Sequence, residues 1–369
     1  MNAVLYALTE ILNRDNGKAF LLPSLSKACG FPLSLDRINR NLTVSFLQEG
    51  SDSGIFKVEA KVNTADQGAK RFSFCLNIAR NPRLNDLHAA IYHNLKRLRE
   101  SDGRFVVEPF CLDAAASMQE GRKIELAVFS AEWLKGYTEV NMFNEAEAVD
   151  GEPAKNGFEP LGLRRLRFNY PGRDGFLRGI IRDRALADEI ASEMVKILTL
   201  YFDPQTEEAV GNYAINAGDF VYRAGPGGAF SLKLVTCRQI IKFPAAPSDQ
   251  EHLRAFIFLD DLFRHRENSV HHQEGADPID WRRYAIFTFT PTDICRGIKK
   301  ALIERQGAEK ARPMVLNWLA AYIAMDRLAQ EFQPPGTREI IFRQAMIKQE
   351  IEAFLQAEGY PLGRIVVEI

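Results

Sequence analysis

Asp219 is the residue of this chain best placed to do chemistry. It stands just before the first strand of "INAGDFVYRAGPGGAFSLKLVTCRQI" (215–240), which reads as strand, Gly-Pro-Gly-Gly turn, strand. A carboxylate at such a corner can hold a divalent cation, whose preferred ligands are hard oxygens. The same carboxylate can bond neighbouring backbone amides and cap the turn. No second carboxylate lies between 230 and 240 to share a metal. The capping role is therefore favoured, and no metal ligand set is assigned.

Other clusters invite the same test. Arg164, Arg165 and Arg167 open a run that continues through Arg173, Arg178, Arg182 and Arg184. Guanidinium groups bind carboxylates and phosphates in pairs of hydrogen bonds, so Arg164, Arg165 and Arg167 are candidate anion-binding residues. The ordinary alternative is a solvated face balanced by the acidic segment 145–159. "RHRENSVHHQEGAD" (264–277) gathers His265, His271 and His272 with Glu267, Glu274 and Asp277. Adjacent histidines point apart, however, and zinc on a helix wants them four residues apart; a polar loop is expected. "GPGG" (225–228) leads into a strand rather than a helix N-terminus, so it reads as a turn and not a phosphate cradle. "EGSDSG" (49–54) is turn chemistry of the same kind. Cys75 and Cys237 lie in apolar strand patterns, where cysteine behaves as a small hydrophobe.

The composition limits the classes of function. The 369 residues are 46% hydrophobic and 26% charged with a formal net charge of −1. No global field draws the chain to nucleic acid or an anionic membrane, so a nucleic-acid partner is not expected. The five cysteines form no C-x-x-C pair, which fits a reducing cytoplasm better than a disulfide framework. Glu10 and Arg14 interrupt the amphipathic N-terminus, unlike a signal peptide. No apolar run is long enough to span a bilayer, so no membrane partner is expected.

Periodicity then supplies the elements. A helix is expected over 3–14, strands over 42–48, 55–62 and 70–80, a helix over 84–99, and strands over 104–110 and 123–130. Residues 143–160 read as an exposed loop. Helices are expected over 183–202 and near 248–265, 291–305, 311–331 and 337–357, with a terminal strand in "GRIVVEI". The class is α+β.

Five strands and one helix followed by a helical half with one β-hairpin resemble the protein-kinase-like fold, of the aminoglycoside and choline phosphotransferase type. The resemblance implies a two-lobed molecule: an N-terminal helical extension (1–40), a small lobe with a five-stranded antiparallel sheet plus one helix (41–131), a hinge (132–137) and a mainly helical lobe with one hairpin (138–369). It implies that "FCLNIAR" supplies the third strand, that "VFSAEWLKGY" is the hinge, and that Asn77, Glu132 and Trp133 are cleft positions for a ligand. It also implies gaps. The third-strand lysine falls at Asn77, its acidic partner near His88, the catalytic aspartate at Ala214 if Asp219 takes the metal-binding position, and the second metal aspartate at Thr236 or Cys237. ATP and magnesium are therefore not expected to bind strongly. The expected function is a catalytically degenerate, pseudokinase-type protein that binds a small molecule or a protein partner. The alternatives are an atypical small-molecule phosphotransferase using Asp219, and a scaffold that binds a macromolecule through the Arg-rich segment. Whether the chain is an enzyme stays open at this point.

Overall fold

The computed structural model describes residues 3–13, 20–34, 42–49, 52–64, 68–145, 163–172, 175–181, 184–211, 213, 218–243, 251–264, 284–285, 289–331 and 338–360. The fold is α+β, with eight α-helices among the described residues. The chain forms two compact units. Unit 1 comprises Met1–Glu139, Phe168–Gly179 and Asp219–Gln239; unit 2 comprises Val140–Arg167, Ile180–Gly218 and Ile240–Ile369.

Unit 1 is built on an antiparallel sheet of β1 (Thr43–Glu49), β2 (Ser53–Thr64), β3 (Gly68–Ala79), β4 (Pro109–Gln119) and β5 (Arg122–Glu132), in the order β1-β2-β3-β5-β4. Alternation in β2 and β3 fixes the register: Phe56 lies opposite Leu76 and Val58 opposite Phe74, and all four are buried. Helices α1 (Ala3–Asn13) and α2 (Leu21–Cys29) cover that face, adding Val4, Leu8, Ile11, Leu21 and Leu25 to its core. Each such buried side chain contributes roughly 1.5–3 kcal/mol of transfer free energy. α2 ends at Gly30, whose φ of 78° lets its amide reach the Ser26 and Lys27 carbonyls. Helix α3 (Asn85–Ser101) lies on the other face, where the His88 and Tyr92 rings are 5.7 and 6.5 Å from that of Phe129.

The hairpin of β10 (Phe220–Ala224) and β11 (Phe230–Leu234) also belongs to unit 1, although the sequence placed it with the helical half. Its turn is the Gly-Pro-Gly-Gly segment, where Gly227 and Gly228 take φ of 64° and 82°. β11 is fixed to the chain ahead of β4, because Leu234 donates to the Phe105 carbonyl and accepts from Val107.

Unit 2 holds the remaining helices: α4 (Arg184–Leu200), α5 (Glu251–Arg264), α6 (Pro291–Gln306), α7 (Ala308–Glu331) and α8 (Arg338–Ala357). α6 starts in a capping box between Thr290 and Asp293, with Pro291 in the first turn. α4 crosses α6 at Gly297, where an added Cβ would lie 2.6 Å from the Ser192 carbonyl oxygen and 2.5 Å from Val195 Cβ. The rings of Phe202 and Phe258 stack at 4.4 Å, with Trp318 edge-on to Phe202. β9 (Glu208–Gly211) pairs with β12 (Gln239–Lys242).

Several elements differ from the sequence reading. Of the strand expected over 104–110, only Pro109 and Phe110 are strand, as the start of β4; 104–108 are a loop with one isolated bridge at Val106, and the fourth strand is β4, whose "CLDAAAS" lacks large alternating side chains. Pro23 and two serines obscured α2. Residues 143–145, expected in a loop, end β6 (Thr138–Glu145), and the Arg-rich run lies largely in β7 (Leu163–Gly172) and β8 (Gly175–Ile181). The rest of the expected loop, the histidine cluster at 265–277 and the terminal "GRIVVEI" lie outside the described residues.

Candidate functional site

Within unit 1, four segments meet around one guanidinium group. The hairpin registers Phe220 opposite Leu234, and the Asp219 carbonyl accepts from Val235 at 2.8 Å, so the chain leaving β11 runs back beside the residue that enters β10. This brings Arg238 to Asp219: Nη1 donates to Oδ2 at 2.5 Å. The Asp219 side chain is 1% exposed and that of Arg238 9%. Arg238 also faces Asp52, in the turn between β1 and β2, with Nε 3.5 Å from Oδ2. That contact is a charge pairing rather than a hydrogen bond, since the geometry leaves Nε without an acceptor.

The turn is held by its backbone. The Asp52 carbonyl accepts from the Arg80 amide at 3.2 Å and contacts His88 Nε2 at 3.1 Å. His88 is buried, and burial moves its pKa down against the pull of Asp52. The neutral ring therefore donates from Nε2, which leaves Nδ1 as an acceptor with no hydrogen-bond partner. Asn94, further along α3, donates to the Cys237 carbonyl at 3.1 Å. Burial opposes the charge on Arg238, but Asp219 and then Asp52 outweigh it, and its pKa rises.

The fate of Asp219 is thus decided by a residue that sequence reasoning passed over. The sequence reading expected the Asp219 carboxylate to accept from backbone amides of the turn, whereas the partner seen is a guanidinium. The signal was present: Arg238 interrupts the apolar run "LKLVTCRQII", and a cation in such a run needs a counter-charge. Asp52 was likewise visible, but only as one polar residue of a turn.

The other candidates fall as follows. Asn77 lies opposite Phe129 on the face of the sheet that carries α3, and its amide contacts Cys75 Sγ at 3.7 Å. Glu132 ends β5; its amide donates to the Glu108 carbonyl and its carboxylate lies 3.8 Å from Lys233 Nζ. The Trp133 ring carries the ammonium of Lys57 at 4.9 Å from its centroid, and Lys57 also pairs with Glu59 at 2.9 Å. Asn77 and Trp133 therefore approach the same face, because Lys57 registers with Cys75 and Ile55 with Asn77. Arg164, Arg165 and Arg167 are in β7. Burial pushes the Cys75 and Cys237 thiols up to about 12, which removes them as thiolate nucleophiles at neutral pH.

A separate cleft of about 440 Å³ is lined by Asn81, Arg83, Gln119, Glu120 and Arg122 among others, and shares no residue with the Arg238 group. Among the described residues, no three His, Cys, Asp or Glu side chains are grouped to hold a metal, and no helix is long and apolar enough to cross a membrane. No protein-family model matches the chain, and no curated protein matches it in sequence.

Proposed function

We propose that this chain is a non-catalytic protein of kinase-like architecture, which holds a small molecule or partner in unit 1 and transfers no phosphoryl group. Two features support the architecture. A five-stranded antiparallel sheet has one helix inserted between its third and fourth strands. Asn77 and His88, the positions matched to the lysine and its acidic partner, lie on one face of that sheet on either side of Phe129.

The observation that carries the reading is the ion pair of Asp219 with Arg238. Phosphoryl transfer needs carboxylates for magnesium and a cation for the phosphates. Here the sole matched carboxylate is neutralised by a buried guanidinium, and the two matched cleft positions are an amide and a neutral imidazole. A phosphotransferase using Asp219 would first have to break that pair, at a cost of about 3–5 kcal/mol for a buried ion pair.

Thermal unfolding with millimolar ATP and magnesium tests this. A ligand at 100 times its dissociation constant adds roughly 2.7 kcal/mol, or a rise in Tm of several degrees at about 2–4 °C per kcal/mol. No magnesium-dependent rise is expected. A large one, abolished by Asp219→Asn, would favour the phosphotransferase.

A further inference from the structure

The guanidinium of Arg238 has two unlike edges. Nη1 donates to Asp219 Oδ2. Nε and Nη2 form the side-on fork, which suits a pair of oxygens from one carboxylate or phosphate group. Nε has no acceptor in hydrogen-bond geometry, the Asp52 carboxylate facing it being 3.5 Å away. A buried donor held only by so long a contact, on a side chain 9% exposed, is uncommon, because buried donors are normally satisfied. Asp52 balances the charge from 3.5 Å without filling the fork.

From this we infer that Arg238 is an oxyanion receptor: its Nε–Nη2 fork takes the carboxylate or phosphate group of a small molecule, and Asp52 is the resident anion that this group displaces. The exchange preserves the charge of the cluster when the incoming group is a monoanion. Asp219 stays on Nη1 and keeps the guanidinium aimed. Asp52 is the partner able to leave, since its side chain is the most exposed of the three at 17%. Its carbonyl remains tied to Arg80 and His88, so only the carboxylate has to swing. The site is independent of nucleotide and of magnesium.

Anion binding to the intact chain tests the assignment, with inorganic phosphate and acetate titrated separately at ionic strength held constant with chloride. One of the two is expected to raise Tm beyond chloride, and the preferred one names the head group. Asp52→Asn removes the competitor and is expected to tighten that anion about tenfold, equivalent to 1.4 kcal/mol. Arg238→Lys keeps a charge beside Asp219 but has no fork, and is expected to lose the anion. Should Arg238→Lys fail to fold, Asp219→Asn with Arg238→Gln removes both charges and is expected to lose the anion too. Asp52→Asn binding neither anion, or fork-less variants binding as well as the wild type, would overturn the proposal.

Discussion

Unit 1 and unit 2 place their ion pairs differently. Unit 1 takes one inside: Asp219 is buried, the Arg238 side chain is 9% exposed, and Asp52 flanks them. Unit 2 also buries two carboxylates, Asp293 in the capping box of α6 and Glu207 just ahead of β9, but sets its lysine ion pairs along helix flanks. Lys196 bridges Glu193 on its own helix at 2.7 Å and Glu304 on α6 at 2.8 Å; Lys300 reaches back to Glu189 at 2.5 Å, and Lys299 pairs with Glu358. Its interior is also limited by shape, with stacked rings and a glycine at the α4–α6 crossing. The difference says where each unit is vulnerable. Removing a side chain harms unit 1 by stranding a charge, whereas adding one harms unit 2 by a clash.

The largest expected effect follows from the first half of that contrast. Arg238→Ala leaves Asp219 buried without its counter-charge and should destabilise unit 1 by about 3–5 kcal/mol. Denaturant unfolding measures it. Adding Asp219→Asn should recover a substantial part, because the stranded charge is gone. If the double variant were as unstable as the single one, packing of the Arg238 stem and not charge would explain the loss, and the contrast with unit 2 would fail.

Gly297→Ala probes the second half. The new Cβ meets a backbone carbonyl and the base of a branched side chain, neither of which can rotate away. The helices must move apart, at about 1–3 kcal/mol for such overpacking. The unfolding midpoint should fall accordingly. A neutral outcome would mean that α4 and α6 slide freely and that unit 2 is not shape-limited there.

The same contrast explains what the sequence disclosed. Periodic apolar residues gave β2, β3, α3 and the helices of unit 2, because burying a stripe or a face leaves a repeating mark. β4 left none: Ala114, Ala115 and Ala116 carry no alternation, and the strand is held by its register with β5. Asp219 was legible as a corner residue because Gly218 and the apolar Phe220 bracket it. Its partner was not, since Arg238 is 19 residues away and Asp52 stands 186 residues before Arg238. A turn that closes on a distant side chain writes nothing periodic into the chain. Asn77 and His88 were legible as unlike a lysine and an acid, but their shared face appears only once the sheet is paired.

Titration supplies the smallest and most discriminating effect. In unit 2, burial and the neighbouring charge of Asp260 lift the Asp261 carboxyl to about 6, from an ordinary 3.8. An acid whose folded pKa is raised binds its proton more readily in the folded state. Ionised Asp261 therefore opposes folding above about pH 6, and the opposition fades as pH falls towards 4. In unit 1 the sign is reversed. The pKa of His88 is lowered from 6.5 by burial, so the unfolded chain takes up a proton first and stability drains away as pH falls below 6.5. Asp261→Asn should thus stabilise the protein by about 1–2 kcal/mol at pH 7.5, less than the full shift at 1.36 kcal/mol per unit because Asp261 is partly exposed. Near pH 4 the gain should almost vanish, as both forms are then uncharged. Hydrogen exchange read separately in α3 and α5 gives the companion result: lowering pH from 7 to 5, after correction for intrinsic exchange rates, should loosen α3 and tighten α5. If both helices responded in the same direction, burial of Asp261 and His88 would not be what sets the pH response, and the division between a charge-limited and a shape-limited unit would have to be redrawn.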